Sequence, residues 1–192
     1  FSLTDGDALF YRPGQLGGDR QIAFLDAQGK LEPWAREKRA VNGLAPEPSP
    51  DGRRFACQIS NARGIDEIWV SDLDHPGLRR LGTDPNADCD GPIWSPDGRR
   101  IAFDRRGRDG KDGIYVQDAD GGEPKRIFKS DPDDVDFYVV GSWLPDGAAL
   151  LLARVGPSGQ GKLALLPLTG DEADSTRLRT LLPITMQGWG PV

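Results

Sequence analysis

The chain has 192 residues, a net charge of −6 and a pI near 4.8, and this acidic balance excludes nucleic acid as a partner because nucleic-acid binding needs a basic surface. Glycine (25) and proline (16) are abundant, which favours many short strands joined by tight turns over long helices. No apolar run approaches the ~18 residues that cross a membrane, so we expect no direct membrane contact.

An Asp-Gly pair recurs along the chain at Asp5, Asp51, Asp97 and Asp146, at intervals of 46, 46 and 49 residues. In the last three copies a proline precedes the aspartate, and the fullest form is the run Trp-Ser-Pro-Asp-Gly at 94–98. Proline presets φ and glycine accepts a permissive backbone position, so each copy predicts a tight turn. The spacing therefore indicates four tandem repeats.

Each repeat carries apolar segments at fixed distances from its aspartate. One segment begins four residues after the aspartate, a second begins 17 residues after it, and a short strand follows. In chain order these segments are 9–11, 22–24 and 31–34; 55–57, 68–70 and 78–81; 101–103, 114–116 and 124–128; 150–152, 163–165 and 178–182. With the strand that precedes each turn, every repeat predicts four short antiparallel strands.

Four short strands per repeat of 40 to 50 residues predict an all-β fold, a β-propeller of four-stranded antiparallel blades. The predicted blades span about 1–36, 37–82, 83–129 and 130–186, and 187–192 begins a strand of a further blade. Residues 187–192 either belong to a longer propeller or meet the N-terminal strand of the same chain or of a second copy. Open blades at the ends would allow self-association.

A blade must stack on its neighbours, so we expect a core between blades. The predicted core residues are Ile101, Phe103, Ile114 and Val116, with Phe55, Ile68, Val70, Leu150, Leu152, Leu163 and Leu165 at equivalent sites. Trp94 and Trp143 occupy equivalent positions beside the turn. We interpret them as packing residues of the repeat, with a stacking platform for a ligand as the alternative.

The run from Trp94 to Phe103 resembles the TolB-like propeller repeat, and the resemblance covers nearly the whole chain. The chain is also similar to the propellers that follow the kinase domain in bacterial transmembrane serine/threonine kinases, through the segments 1–6, 21–26, 84–88 and 163–170. Leu144 and Pro167 depart from the repeat pattern in the fourth copy.

The resemblance implies a non-catalytic protein-interaction or sensor module of a larger bacterial signalling protein, on the extracytoplasmic, periplasmic side of the membrane, with a protein or peptide partner. Two alternatives remain, because the same repeat occurs in other settings. One is a TolB-like periplasmic scaffold. The other is the gating propeller of a prolyl-oligopeptidase-like hydrolase whose catalytic domain lies outside this sequence.

Catalytic motifs are missing from the sequence, so we predict no enzyme activity. The single histidine, His75, lies in a turn, and a Ser-His-Asp triad needs a histidine base. The sequence has neither a Gly-x-Ser-x-Gly elbow nor a kinase signature. Cys57 and Cys89 form no zinc motif and no disulfide framework.

Charged residues cluster in the predicted connections between strands. The acidic set precedes the first strands of the third and fourth blades and comprises Asp84, Asp88 and Asp90, then Asp131, Asp133, Asp134 and Asp136. The basic set lies between second and third strands and comprises Arg63, Arg105, Arg106, Arg108 and Lys111. Blade topology places both sets on one face of the propeller.

Four interpretations of these charges remain open. The aspartates could cap turns or hold calcium through oxygen ligands, so calcium is a possible cofactor and no other is expected. The two sets could pair with each other across the face, which contributes little if the pairs are exposed. They could also recognise a charged partner.

Overall fold

The structure is a computed structural model that describes residues 2–3, 9–11, 23–25, 29–33, 46–75, 77–82, 84–107, 109–130, 137–156, 160–168 and 177–185. Its strands fall into four sheets. The first sheet contains β1 (Ser2–Leu3), β2 (Leu9–Tyr11), β3 (Ala23–Leu25) and β4 (Leu31–Pro33); the second contains β5 (Glu47–Pro48), β6 (Arg54–Ser60), β7 (Asp66–Asp72) and β8 (Arg79–Leu81). The third contains β9 (Asp88–Trp94), β10 (Arg100–Arg106), β11 (Gly113–Asp118) and β12 (Lys125–Lys129); the fourth contains β13 (Phe137–Trp143), β14 (Ala149–Val155), β15 (Gln160–Pro167) and β16 (Arg179–Thr185).

Each sheet pairs its four strands antiparallel in chain order, which is the arrangement of a propeller blade. The predicted all-β propeller class is therefore confirmed. The described residues contain no α-helix, and accordingly no helix long and apolar enough to cross a membrane. The blade limits stay a prediction, and the Asp5 turn and residues 187–192 lie outside the described residues.

The Ser-Pro-Asp-Gly turn fixes the register between the first two strands of the third sheet. The Gly98 amide donates to the Ser95 carbonyl at 2.8 Å, and Gly98 has a φ of +67°, which glycine adopts without strain. The Ser95 hydroxyl donates to Asp97 at 2.6 Å and accepts from the Arg100 amide at 2.9 Å. Leu144 replaces this serine in the fourth sheet, where the backbone turn bond persists without the hydroxyl contacts.

Alternate side chains of each strand contact different neighbouring sheets. We call the contact between the second and third sheets the second/third seam, and the next one the third/fourth seam. The second/third seam buries Ile68, Val70 and Leu81 against Trp94, Ile101, Phe103 and Tyr115. The third/fourth seam buries Ala102, Ile114 and Phe128 against Tyr138, Leu150, Leu152 and Leu166.

A tryptophan and an arginine connect the sheets at both seams. The Trp94 indole donates to the carbonyl of Glu47 at 3.0 Å, and the Arg54 guanidinium lies 4.8 Å from the Trp94 ring centroid. The third/fourth seam repeats both contacts. The Trp143 indole donates to the carbonyl of Ile93 at 3.3 Å, and the Arg100 guanidinium lies 5.0 Å from the Trp143 ring centroid. Both indoles are buried, which confirms their interpretation as packing residues of the repeat.

The core prediction is confirmed for eight residues and wrong for three. Those confirmed as buried are Ile101, Phe103, Ile114, Phe55, Ile68, Val70, Leu150 and Leu152. Leu163, Leu165 and Val116 are only half-buried. On β15 the buried residues are instead Ala164 and Leu166, because they face the third sheet. Leu163 and Leu165 point to the opposite face, which no other described sheet covers.

Candidate functional site

Three loops of the second and third sheets meet on one side, which we call the loop face (residues 61–65, 82, 84–87, 107 and 109–112). Arg63 donates to the carbonyl of Pro85 at 2.5 Å and to Asn86 Oδ1 at 3.1 Å, which joins two of these loops. The Asn61 side chain holds the Arg63 amide at 2.9 Å, so a local turn positions the arginine. These bonds confirm that the loops emerge on the same face.

Arg105 lies at the centre of the loop face, at the end of β10, and its side chain is only 7% exposed. Its guanidinium donates to Asp84 Oδ2 at 2.5 Å and to both oxygens of Asp109 at 3.0 and 2.9 Å. It also donates to the Lys111 carbonyl at 3.1 Å and lies 5.9 Å from the Tyr115 ring centroid. Arg105 therefore connects the loop before β9 with the loop after β10.

The Arg105 contacts stabilise the charged forms of its partners. Burial alone lowers the pKa of Arg105, but the hydrogen bonds to Asp109 and Asp84 outweigh burial and leave that pKa raised. The hydrogen bond from Arg105 lowers the pKa of Asp109 to about 2. The pKa of Asp84 is also lowered, first by the bond from the Asn86 amide and then by Arg105. The network is thus fully ionised near neutral pH.

Arg106 forms a second charged group on the opposite side of β10. Its guanidinium bonds to Asp90, and its Nε lies 3.7 Å from Asp104 Oδ2. Burial raises the pKa of Asp104 to about 7, although the nearby guanidinium favours the ionised carboxylate. Asp90 and Asp104 are directly opposite on paired strands, so Arg106 offsets the repulsion between them.

The Asp88 carboxylate accepts from the Asp66 amide at 3.0 Å, and Asp88 lies opposite Arg106 in the strand register. Asp84, Asp88 and Asp90 are thus bound to three different partners. Within the part of the chain that the structure describes, no three His, Cys, Asp or Glu side chains are arranged to hold a metal ion. The geometry of this first acidic set agrees with pairing across the face, and a partner-binding role for it stays a prediction.

The remaining predicted site residues lie outside the described residues, namely Arg108, Asp131, Asp133, Asp134 and Asp136. A calcium role for the second acidic set stays a prediction, as does the lack of enzyme activity. His75 is exposed in the turn after β7. Cys57 and Cys89 are free and buried.

Sequence reasoning missed Asp104 and Asp109, which complete the two charged groups. Asp109 follows Arg105 by four residues, but such spacing signals a contact in a helix and carries no information within a β loop. Asp104 follows the apolar run 101–103 directly, so the sequence predicts it only as the end of an apolar strand. Its partner becomes evident only from the strand register.

Similarity to known proteins agrees with this architecture. The chain is 36% identical to the Tol-Pal system protein TolB of Anaeromyxobacter dehalogenans over 90 residues. That aligned stretch covers 47% of this chain and 20% of the TolB protein. The crystal structure of TolB from Acinetobacter baumannii superposes with a TM-score of 0.69 at 24% identity, over 93% of this chain and 41% of that one. A prolyl endopeptidase structure superposes with a TM-score of 0.66 at 15% identity, over 94% of this chain and 28% of the endopeptidase chain.

The two structural similarities show the fold alone, since identity is below 25% in both. The chain matches a fifth of the length of the curated relative and less than half of either solved chain. The family model described as the TolB β-propeller domain matches residues 19–176, which is most of the sequence. The chain therefore belongs to the TolB β-propeller domain family.

Proposed function

We propose that this chain is a non-catalytic protein-interaction module that binds a protein or peptide partner through the loop face. The observation that carries the proposal is the Arg105 network, which holds loops of two sheets together through Asp84 and Asp109. Loops fixed in this way form a preorganised surface, and preorganisation lowers the entropy lost on binding. Arg63 bonds to Pro85 and Asn86, and the Lys111 Nζ lies 3.8 Å from Asp109 Oδ2. Both side chains are nevertheless exposed beside the network, where their charges can attract a charged partner.

The setting we favour is a TolB-like periplasmic scaffold in a complex of the bacterial envelope. Family membership and the similarity to Tol-Pal system proteins support it. A signalling module attached to a transmembrane serine/threonine kinase is a second setting, based on the sequence resemblance alone. A gating propeller of a hydrolase is a third, supported by the fold of the prolyl endopeptidases.

Flanking sequence separates the three settings. An upstream signal peptide with a small α/β domain supports the scaffold. An upstream kinase domain with a transmembrane helix supports the signalling module, and a downstream Gly-x-Ser-x-Gly domain supports the gating propeller.

A selection experiment tests the loop face directly. Peptides that bind the chain are selected from a displayed random library, and their affinities are measured against Arg63→Glu and Lys111→Glu. The matched controls are Arg53→Glu and Arg99→Glu, whose arginines are equally exposed but follow the Asp-Gly turns at the other end of the strands. We expect a loss of at least about tenfold for the loop-face variants only. Equal losses in both sets, or losses in the controls alone, contradict the proposal.

We also propose that the uncovered face of the fourth sheet supports self-association. Leu182 is 48% exposed there, and Leu163 beside it is half-buried. Sedimentation at several concentrations measures this directly. A monomer of 20.9 kDa throughout contradicts it.

A further inference from the structure

The two seams differ at several equivalent positions: Phe103 and Tyr115 of the third sheet correspond to Leu152 and Ala164 of the fourth, and one further pair of positions also differs. At the third/fourth seam, Phe128 of β12 and Tyr138 of β13 are both buried, with ring centroids 4.7 Å apart in an edge-to-face contact. The strand register identifies the equivalent residues at the second/third seam. Leu81 is equivalent to Phe128, because each lies opposite the corresponding residue of its neighbouring strand, Ile68 and Ile114 respectively. Cys89 is equivalent to Tyr138 in the same way, since they lie opposite Arg105 and Arg154.

The second/third seam therefore lacks an aromatic pair at these two positions, whereas its own aromatic pair, Phe103 and Tyr115, stacks elsewhere in the seam with ring centroids 6.0 Å apart. Leucine and cysteine are smaller than phenylalanine and tyrosine, and the residue after Leu81 is Gly82, which adds no side chain. A cleft of about 200 Å³ lies at this place in the seam. Gly82, Cys89, Phe103 and Tyr115 are among the residues that line it.

The walls of the cleft combine an apolar interior with a charged rim. Cys89, Phe103 and Tyr115 are buried, and burial raises the pKa of the Cys89 thiol to about 12, so the sulfur there is neutral. Asp84 and Arg105 line one part of the rim as an ion pair, and the exposed Lys111 and Glu123 connect the rim with solvent. Such a site favours an uncharged, largely apolar group.

The filled seam indicates the shape of that group. Arg154 lies 5.9 Å from the centroid of the Tyr138 ring, and Arg105 is its equivalent at the cleft. A planar ring that enters beside Cys89 would thus lie near an arginine and against buried aromatic residues, as the Tyr138 ring does. The third/fourth seam thus gives the precedent for an aromatic ring at the position that corresponds to Cys89.

We propose that the cleft beside Cys89 is a binding pocket for an aromatic side chain, a phenyl or phenol ring, that the partner polypeptide inserts between the second and third sheets. The proposal rests on the proposed function, because Arg105 and Asp84 belong both to the loop face and to the rim of the cleft. It names the anchor residue of the partner, and a buried aromatic anchor commonly dominates the binding energy of an interface.

The test uses p-cresol, the side-chain analogue of tyrosine, with isoamyl alcohol as an aliphatic comparison. Binding is followed on the full chain by amide chemical shifts in ¹H–¹⁵N spectra. We expect saturable p-cresol shifts centred on Gly82, Cys89 and Tyr115 and a Kd on the order of 1 mM, as fits a ligand of this size. Isoamyl alcohol should bind at least about threefold more weakly, since it gains no ring contact.

A matched pair of variants fills or preserves the cleft. Cys89→Tyr places in the second/third seam the residue that Tyr138 supplies in the next one, so p-cresol affinity should fall at least about tenfold because the new ring occupies the cleft. Cys89→Ser, with a side chain no larger than cysteine, should retain binding. Unchanged p-cresol affinity in Cys89→Tyr overturns the proposal.

Two further outcomes also overturn it, and neither depends on the variants folding. One is p-cresol shifts in the parent chain that are unsaturable or centred away from Gly82 and Cys89. The other is equal or tighter binding of isoamyl alcohol, which removes the aromatic specificity. Because p-cresol is tested without any partner, its failure leaves the loop-face experiment on selected peptides unaffected, and the two results are distinguishable.

Discussion

Truncation of Ile114 and of Leu163 tests whether a neighbouring sheet, and not the repeat position, determines burial. The two residues are equivalent, since Ile114 opposes Asp104 on paired strands and Leu163 opposes Ala153 at the same place in the next sheet. Ile114 is 1% exposed and packs in the third/fourth seam, whereas Leu163 is half-buried.

The structure sets different magnitudes for the two changes. Ile114→Ala removes a buried side chain and leaves a cavity, which costs roughly 2–5 kcal/mol. Leu163→Ala loses partial burial without an enclosed cavity, which costs about 1 kcal/mol. For a chain of this length each kcal/mol lowers the melting temperature by about 2–4 °C.

Urea and thermal unfolding followed by far-UV circular dichroism measure both variants against the parent. Midpoints are compared directly, because sheets that contact only their neighbours need not unfold in a single step. Equal destabilisation by the two substitutions, or a larger effect of Leu163→Ala, would refute the assignment of the fourth sheet's uncovered face.

Two further substitutions and one labelling measurement give independent checks. Arg100→Ala removes the guanidinium from the Trp143 ring and should cost about 0.5–2 kcal/mol in urea unfolding; no loss would show that the contact contributes nothing. The raised pKa of Asp104 means that its protonated form stabilises the fold below about pH 4 and that this stability is lost as the pH rises to about 7. Asp104→Asn should therefore flatten the stability profile across that range, and an unchanged profile would contradict the shift. Cys89, with a thiol pKa raised by burial to about 12, should react with a thiol reagent at pH 8 far more slowly than a free cysteine, because little of it is thiolate, and labelling at the rate of a free thiol would contradict the raised pKa.

The charged loop face could be predicted only in outline. The sequence predicts Arg63, Arg105, Arg106, Asp84 and Asp90 in connections between strands, and topology brings these connections together. This placement is wrong for three of them, because Arg105 and Arg106 end β10 and Asp90 belongs to β9. Which arginine pairs with which aspartate depends on loop conformation and strand register, and neither is encoded in the spacing. The pairs of Arg105 with Asp109 and of Arg106 with Asp104 were therefore found only in the structure.

The repeat, the turns and the strand order follow from the sequence by itself, because each depends on local chemistry. The proline, aspartate and glycine of the turn at 96–98 restrict a few consecutive dihedral angles, and the offset of 17 residues sets which strands can pair. Burial is different, because it depends on what lies across the seam. Equivalent positions hold a buried Ile114 and a half-buried Leu163, and a buried Tyr138 corresponds to a Cys89 that lines a cleft. Only the packing of one sheet on the next decides these differences, since removal from water is a property of two surfaces and not of one segment of chain.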